Sequence, residues 1–175
     1  LFTFIDAGGV VKNLTLANFT IHKTDTSSDG PGALAQLNSG TIIGCYSVDS
    51  SVVTEKSSVT GGLVGLNKGT IEKSGVDGGT VTANGPFVTT VGGFVGRNLG
   101  KIDQCFATAT VTAQRWRAGG FAGGQEGGEI SNCYTTGDVS IGEQAGGFAG
   151  YFTEDTQATS CQLTNVYASN HVTST

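Results

Sequence analysis

Gly61-Gly62-Leu63-Val64-Gly65-Leu66-Asn67-Lys68-Gly69-Thr70-Ile71 and Gly92-Gly93-Phe94-Val95-Gly96-Arg97-Asn98-Leu99-Gly100-Lys101-Ile102 repeat one pattern. Small residues open it, an apolar residue follows, an Asn-x-Gly turn comes next, and an Ile closes it. Weaker copies begin at Gly32-Ala33-Leu34-Ala35, Gly119-Gly120-Phe121-Ala122 and Gly146-Gly147-Phe148-Ala149. From Gly32 through Gly62, Gly93 and Gly120 to Gly147 the step is about 27 to 31 residues, and a fixed period of this size is the mark of stacked supersecondary units.

The agreement extends beyond the opening. Ile42, Ile71, Ile102 and Ile130 are followed by Cys45, Ser74, Cys105 and Cys133, then by Tyr46, Gly75, Phe106 and Tyr134, and later by Val52, Val81, Val111 and Val139. Val11, Leu14 and Ile21 fill the same slots near the start, and Leu163, Val166, Tyr167 and Val172 fill them near the end. Each repeat holds three short apolar stretches between Gly/Asn corners, and no 3.6-residue stripe occurs. That pattern predicts an all-β fold, a right-handed parallel β-helix with three-sided coils, about six of them. A sandwich or propeller competes, but a propeller blade needs four strands in roughly 40 residues.

Residues 1–175 read as one solenoid domain with clear repeats at 32–61, 62–92, 93–119 and 120–146 and degenerate coils at 1–31 and 147–175. Strand spacing of about 4.8 Å gives a rod on the order of 30 Å. Equivalent slots then stack, with Leu34, Leu63, Phe94, Phe121 and Phe148 in one ladder and the Ile series in another. The 29 glycines are expected at corners, where Gly and Asn supply the left-handed φ/ψ of a sharp turn.

Charged residues make up 13% of the chain and the net charge is −5, with no Lys/Arg cluster to neutralise phosphates, so nucleic acid is not an expected partner. No apolar run reaches the roughly 20 residues of a membrane helix, and no membrane insertion is expected. The chain starts without Met and reads as a piece of a larger protein with neighbouring domains or coils at both ends. Cys45, Cys105, Cys133 and Cys161 lack C-x-x-C spacing; no metal site or cofactor is expected. Three of them share one inward slot, which points to buried free thiols rather than bridges.

The Gly-Gly-[Leu/Phe]-[Val/Ala]-Gly opening, the Asn-x-Gly-x-Ile turn and the following Cys-[Tyr/Phe] resemble the GLUG motif. The resemblance covers Gly32 to about Gly150. It implies a repeat scaffold of a bacterial surface or secreted protein, as in adhesins and IgA-specific metallopeptidases, and transfers no catalytic residue.

Groups able to carry chemistry are few. His22 and His171 fall in the first and last coils, too far apart for one site. Glu72 and Asp103 stack on an outer face at a spacing that would suit a retaining carboxylate pair, but solvated charges there also protect a β face. Asn13-Leu14-Thr15 and Asn18-Phe19-Thr20 are sequons, yet Asn13, Asn132 and Asn165 fit corner positions better. Thr108, Thr110 and Thr112 hint at a flat Thr ladder, which Asp138 interrupts.

Length differences between repeats fall between Thr54 and Thr60, Ala83 and Val91, and Gln114 and Ala118. Such insertions map to one face of a solenoid, often the binding face. Phe87, Arg115, Trp116 and Arg117 are therefore the candidate ligand-binding residues. The expected function is a non-catalytic β-helical module of a bacterial surface or secreted protein, an adhesin scaffold or stalk that contacts a host protein or glycan. The alternative is the β-helical region of a secreted enzyme, an IgA-type metallopeptidase or a polysaccharide-degrading one.

Overall fold

Thr80-Val81-Thr82-Ala83 and Thr110-Val111-Thr112-Ala113 alternate with period two, and each forms a strand with Val and Ala buried and Thr turned outward. Short β-branched runs of this kind account for the whole molecule. The computed structural model describes residues 1–25, 30–56, 59–85, 90–153 and 161–174, and among these every strand pair is parallel and no helix occurs. The fold is the parallel β-solenoid that the period predicts.

Four sheets are six strands deep. The first runs through Phe2–Ile5, Ala35–Asn38, Val64–Asn67, Val95–Asn98, Ala122–Gln125 and Ala149–Phe152. The second contains Val10–Lys12, Thr41–Ile43, Thr70–Glu72, Lys101–Asp103, Gly128–Ser131 and Cys161–Thr164. The third contains Thr15–Ala17, Tyr46–Val48, Gly75–Asp77, Phe106–Ala107, Tyr134–Thr135 and Tyr167–Ala168. The fourth contains Thr20–Lys23, Ser51–Thr54, Thr80–Ala83, Thr110–Ala113, Val139–Ile141 and Val172–Ser174. A fifth, four-stranded sheet holds Val59–Gly61, Thr90–Gly92, Arg117–Gly119 and Gln144–Gly146. The apolar stretches of a coil thus resolve into as many as five short strands, because the corners interrupt hydrogen bonding.

The core is a set of ladders. Ile42, Ile71, Ile102 and Ile130 are fully buried and in register, continued by Val11 and Leu163 in the end coils. Phe94 and Phe121 stack with centroids 4.7 Å apart, and Phe121 and Phe148 follow at 4.9 Å. Those distances match the strand spacing, so ring stacking costs the backbone nothing. At both ends the ladders lose a neighbour, and Phe2, Phe4, Val10, Phe152, Tyr167 and Val172 are exposed.

Most of the glycines do not do what the sequence suggests. Gly40, Gly69 and Gly100 of the turns, and the paired glycines opening each repeat, lie outside the left-handed region, whereas Gly8, Gly44, Gly78, Gly79 and Gly128 lie within it. Asn38, Asn67 and Asn98 are not left-handed either. The reason is close approach rather than turning. A Cβ on Gly69 would collide with the carbonyl of Gly40, one on Gly93 with that of Gly120, and one on Gly92 with the Gly123 amide. Strands of the first and fifth sheets meet backbone to backbone, a contact that only glycine permits.

The turn asparagines form a buried amide ladder. Asn38 Nδ2 donates to Asn67 Oδ1 at 2.8 Å, Asn67 to Asn98 at 2.8 Å, and Asn98 to Gln125 Oε1 at 2.9 Å. Gln125 replaces Asn where the turn to Ile130 is one residue longer, and its Nε2 donates onward to the Gly127 carbonyl at 2.8 Å. All four amides are fully buried, so each bond replaces water that cannot enter.

A left-handed corner recurs between the second and third sheets, at Asn13, Gly44, Lys73, Gln104, Asn132 and Asn165 in successive coils, and a second lies between the third and fourth sheets at Asn18, Asp49 and Gly78. The expected corner role of Asn13, Asn132 and Asn165 is therefore observed. The residue after the first of these corners turns inward, and its side chain accepts an amide from the preceding coil. Cys45 N–H donates to Ser74 Oγ at 3.1 Å, Ser74 N–H to Cys105 Sγ at 3.4 Å and Cys105 N–H to Cys133 Sγ at 3.4 Å. Cys45, Cys105 and Cys133 are buried free thiols, and burial pushes the Cys45 and Cys105 thiols up from their ordinary value.

Candidate functional site

The junction between the fourth and fifth sheets varies most. It spans residues 55–58, 84–89, 114–116 and 142–143 in successive coils, while the turns at 39–40, 68–69 and 99–100 keep one length. Phe87 lies outside the described residues, whereas Arg115, Trp116 and Arg117 are described in full.

Trp116 has φ 70° and is 46% exposed. A bulky residue in the left-handed region is a steric outlier that costs roughly 1–2 kcal/mol and persists only where the surroundings impose it. Those surroundings come from the next coil. Trp116 N–H donates to Glu143 Oε2 at 3.1 Å, and its carbonyl accepts the Gln144 N–H at 2.8 Å. The indole has no ring partner among the described residues.

Arg117 begins the fifth-sheet strand, in register with Thr90 and Gln144. Its Nε donates to Gln144 Oε1 at 3.1 Å, and its guanidinium carbon lies 4.4 Å from the centroid of the Tyr151 ring. Tyr151 reaches this position by lying across Gly124, where any side chain would collide with the ring. Arg97, Gly124 and Tyr151 are in register in the first sheet, and Arg97 pairs with the buried carboxylate of Glu126. Arg97, Arg115 and Arg117 are the only arginines in the chain. Arg97 is held by Glu126 and Arg117 by Tyr151 and Gln144, while Arg115 is exposed and has no side-chain partner among the described residues.

Tyr151, Glu143 and Gln144 are the site residues that sequence reasoning missed. The signal for them was register: Gln144 stands one coil beyond Arg117, and Tyr151 one coil beyond a Gly124 too small to cover the surface itself.

The other candidates separate. His22 lies in the first coil, 3.0 Å from Glu55, and His171 lies in the last, its N–H donating to Asp138 Oδ1 at 2.9 Å. Glu72 and Asp103 are in register, as expected. Asp103 Oδ1 accepts from Asn132 Nδ2 and Ser131 Oγ, both at 2.8 Å, and these bonds hold the carboxyl below its ordinary value. That is the behaviour of a carboxylate tying a corner to the next coil. Thr80 and Thr82 stand in register with Thr110 and Thr112, and the column then passes to Ser140. On the third sheet Tyr46, Phe106 and Tyr134 form an outer aromatic column, with Phe106 and Tyr134 stacked at 5.4 Å.

A family model described as the GLUG motif matches residues 88–112 and 114–140. The chain carries GLUG motifs. Each GLUG match begins before a fifth-sheet strand and runs through one coil to the fourth sheet, and the two together contain Gly92, Gly93, Asn98, Cys105, Gln125 and Cys133. The second GLUG match contains Arg115, Trp116 and Arg117. No curated protein matches the sequence.

Proposed function

We propose that this β-helical repeat module is a non-catalytic part of a bacterial surface or secreted protein, and that it holds a lateral binding edge, the Arg115–Arg117 junction, away from its anchor in the manner of an adhesin stalk. The observation that carries this reading is Trp116. The fold gives an exposed indole a strained backbone conformation that glycine would adopt freely, and it does so at the junction where coil length varies. Strain kept at an exposed position is a pointer to function, because packing gains nothing from it. A rod built from coil-to-coil backbone contacts suits spacing, and additional coils or domains at either end would continue the same ladders.

The partner is a host glycan or protein. A panel of immobilised glycans and extracellular host proteins tests this. Ligands retained by the native chain should lose at least about tenfold in affinity when Trp116→Gly is combined with Arg115→Gln and Arg117→Gln. They should be unaffected by Glu72→Gln with Asp103→Asn. Retention by the triple variant contradicts the assignment of this edge. Release of the chain by protease treatment of intact bacterial cells tests the surface location; recovery only after lysis contradicts it.

A further inference from the structure

We infer that the ligand of the Trp116 edge is an anionic sugar, a pyranose bearing a carboxylate or sulfate. The inference rests on the binding-edge reading above and narrows it to a chemical class.

The charge distribution comes first. The chain carries net charge −5, yet Arg97 belongs to one outer column of the first sheet, Arg117 covers the Tyr151 ring of that column, and Arg115 lies two residues before Arg117 in the sequence. On an overall acidic chain, guanidinium groups at this edge favour an anionic ligand over a neutral one. The pairing of these arginines is uneven. Glu126 neutralises Arg97, and the Tyr151 face and Gln144 fix Arg117. Arg115, which precedes the exposed Trp116 in the sequence, has no side-chain partner for its donors among the described residues. A guanidinium offers a planar fork that matches the two oxygens of a carboxylate or sulfate.

The second part is the shape of the partner. Trp116 presents an indole with no stacked ring partner among the described residues, and the Tyr151 ring of the first-sheet column is covered by Arg117. A protein interface needs roughly 800 Å² per partner with anchors sheltered inside it. A single ring with one adjacent cation is the size of one sugar residue, whose C–H face stacks on indole while its acid group meets the fork. Glu143, whose Oε2 accepts the Trp116 N–H, adds a carboxylate acceptor for sugar hydroxyls.

Trp116 is the only tryptophan, so its emission reports the site directly. The full 175-residue chain is titrated with a short oligogalacturonate, its neutral methyl ester, a sulfated chondroitin oligosaccharide and poly-glutamate, with calorimetry for variants lacking the indole. The expected result is an emission change with an acidic sugar and binding roughly tenfold or more tighter than that of the ester. Arg115→Gln should abolish the difference and leave the weak binding of the ester, while added salt weakens only the acidic sugars. Tighter binding of the uronate assigns the anion as carboxylate, and tighter binding of the chondroitin assigns it as sulfate; both support the proposal.

Equal binding of acid and ester, lost in Trp116→Gly, overturns the anionic class and leaves the binding edge standing. A response to poly-glutamate alone replaces the sugar with an acidic protein segment and also overturns it. Sugar binding that Trp116→Gly does not change, with native circular dichroism, overturns the edge itself.

Discussion

At the scale of single residues, this fold uses side chains as substitutes for backbone partners. Cys105 fills a core slot and also accepts the Ser74 amide, so Cys105→Ser should cost little while Cys105→Val, of similar bulk, leaves that amide unpaired. The expected loss for Val is about 1–3 kcal/mol, read as a lower denaturant midpoint with unchanged slope. Buried thiols with raised pKa values should react slowly with a thiol reagent in the native state, and four should be recovered after unfolding without reductant. Trp116 runs the other way. Trp116→Gly relieves the left-handed backbone and should hold or raise stability by about 1 kcal/mol while ligand retention falls. A marked drop in melting temperature would make the indole a packing residue instead. Asp103 adds a pH effect with a definite sign. Its folded pKa lies below the unfolded value, so its contribution is present above the ordinary carboxylate range and fades as pH falls through the folded value. Asp103→Asn should flatten that part of the acid limb.

Among the elements, the ladders decide what was legible in sequence. The Ile and Leu/Phe slots announced themselves through period and burial, because an inward position tolerates only apolar residues in every coil. The glycines announced their register but not their reason. A turn glycine and a contact glycine are the same letter, and only the positions of neighbouring backbones separate Gly78, left-handed, from Gly69, pressed against Gly40. Gly93→Ala, placed in an ordinary backbone conformation, should therefore destabilise by about 1–3 kcal/mol or more through collision with Gly120, whereas Gly8→Ala meets open space and suffers only from its φ. The amide ladder is hidden in the sequence for the same reason: one Asn per repeat says corner, and only the stacked coils show Asn38, Asn67, Asn98 and Gln125 bonded in line. Asn98→Leu should cost about 2–4 kcal/mol, since it strands Asn67 and Gln125 in a dry interior. The site was legible in part. Arg115, Trp116 and Arg117 stood out as a loop, but Tyr151 and Glu143, a coil further on, required register to be carried outward onto the surface.

The whole molecule behaves as a one-dimensional stack, in which each coil is stabilised by the coils on either side. Phe121 has stacked neighbours on both faces and Phe148 is half-buried near the end of the stack, so Phe121→Ala should cost about 3–5 kcal/mol and Phe148→Ala distinctly less. The functional reading depends on this geometry, because stacking in register sets Arg97, Gly124 and Tyr151 in one column and brings Arg117 over the Tyr151 ring. Val10, Thr41, Thr70, Lys101, Glu129 and Gln162 form one unbroken column of the second sheet. Spin labels on cysteines introduced at Val10 and Gln162, both exposed, measure that column from end to end by electron–electron dipolar spectroscopy. With strands about 4.8 Å apart, the stacked solenoid gives a single narrow distance centred near 24 Å, broadened only by the label arms. A broad distribution, or a distance that places the two ends of the column side by side, would contradict it.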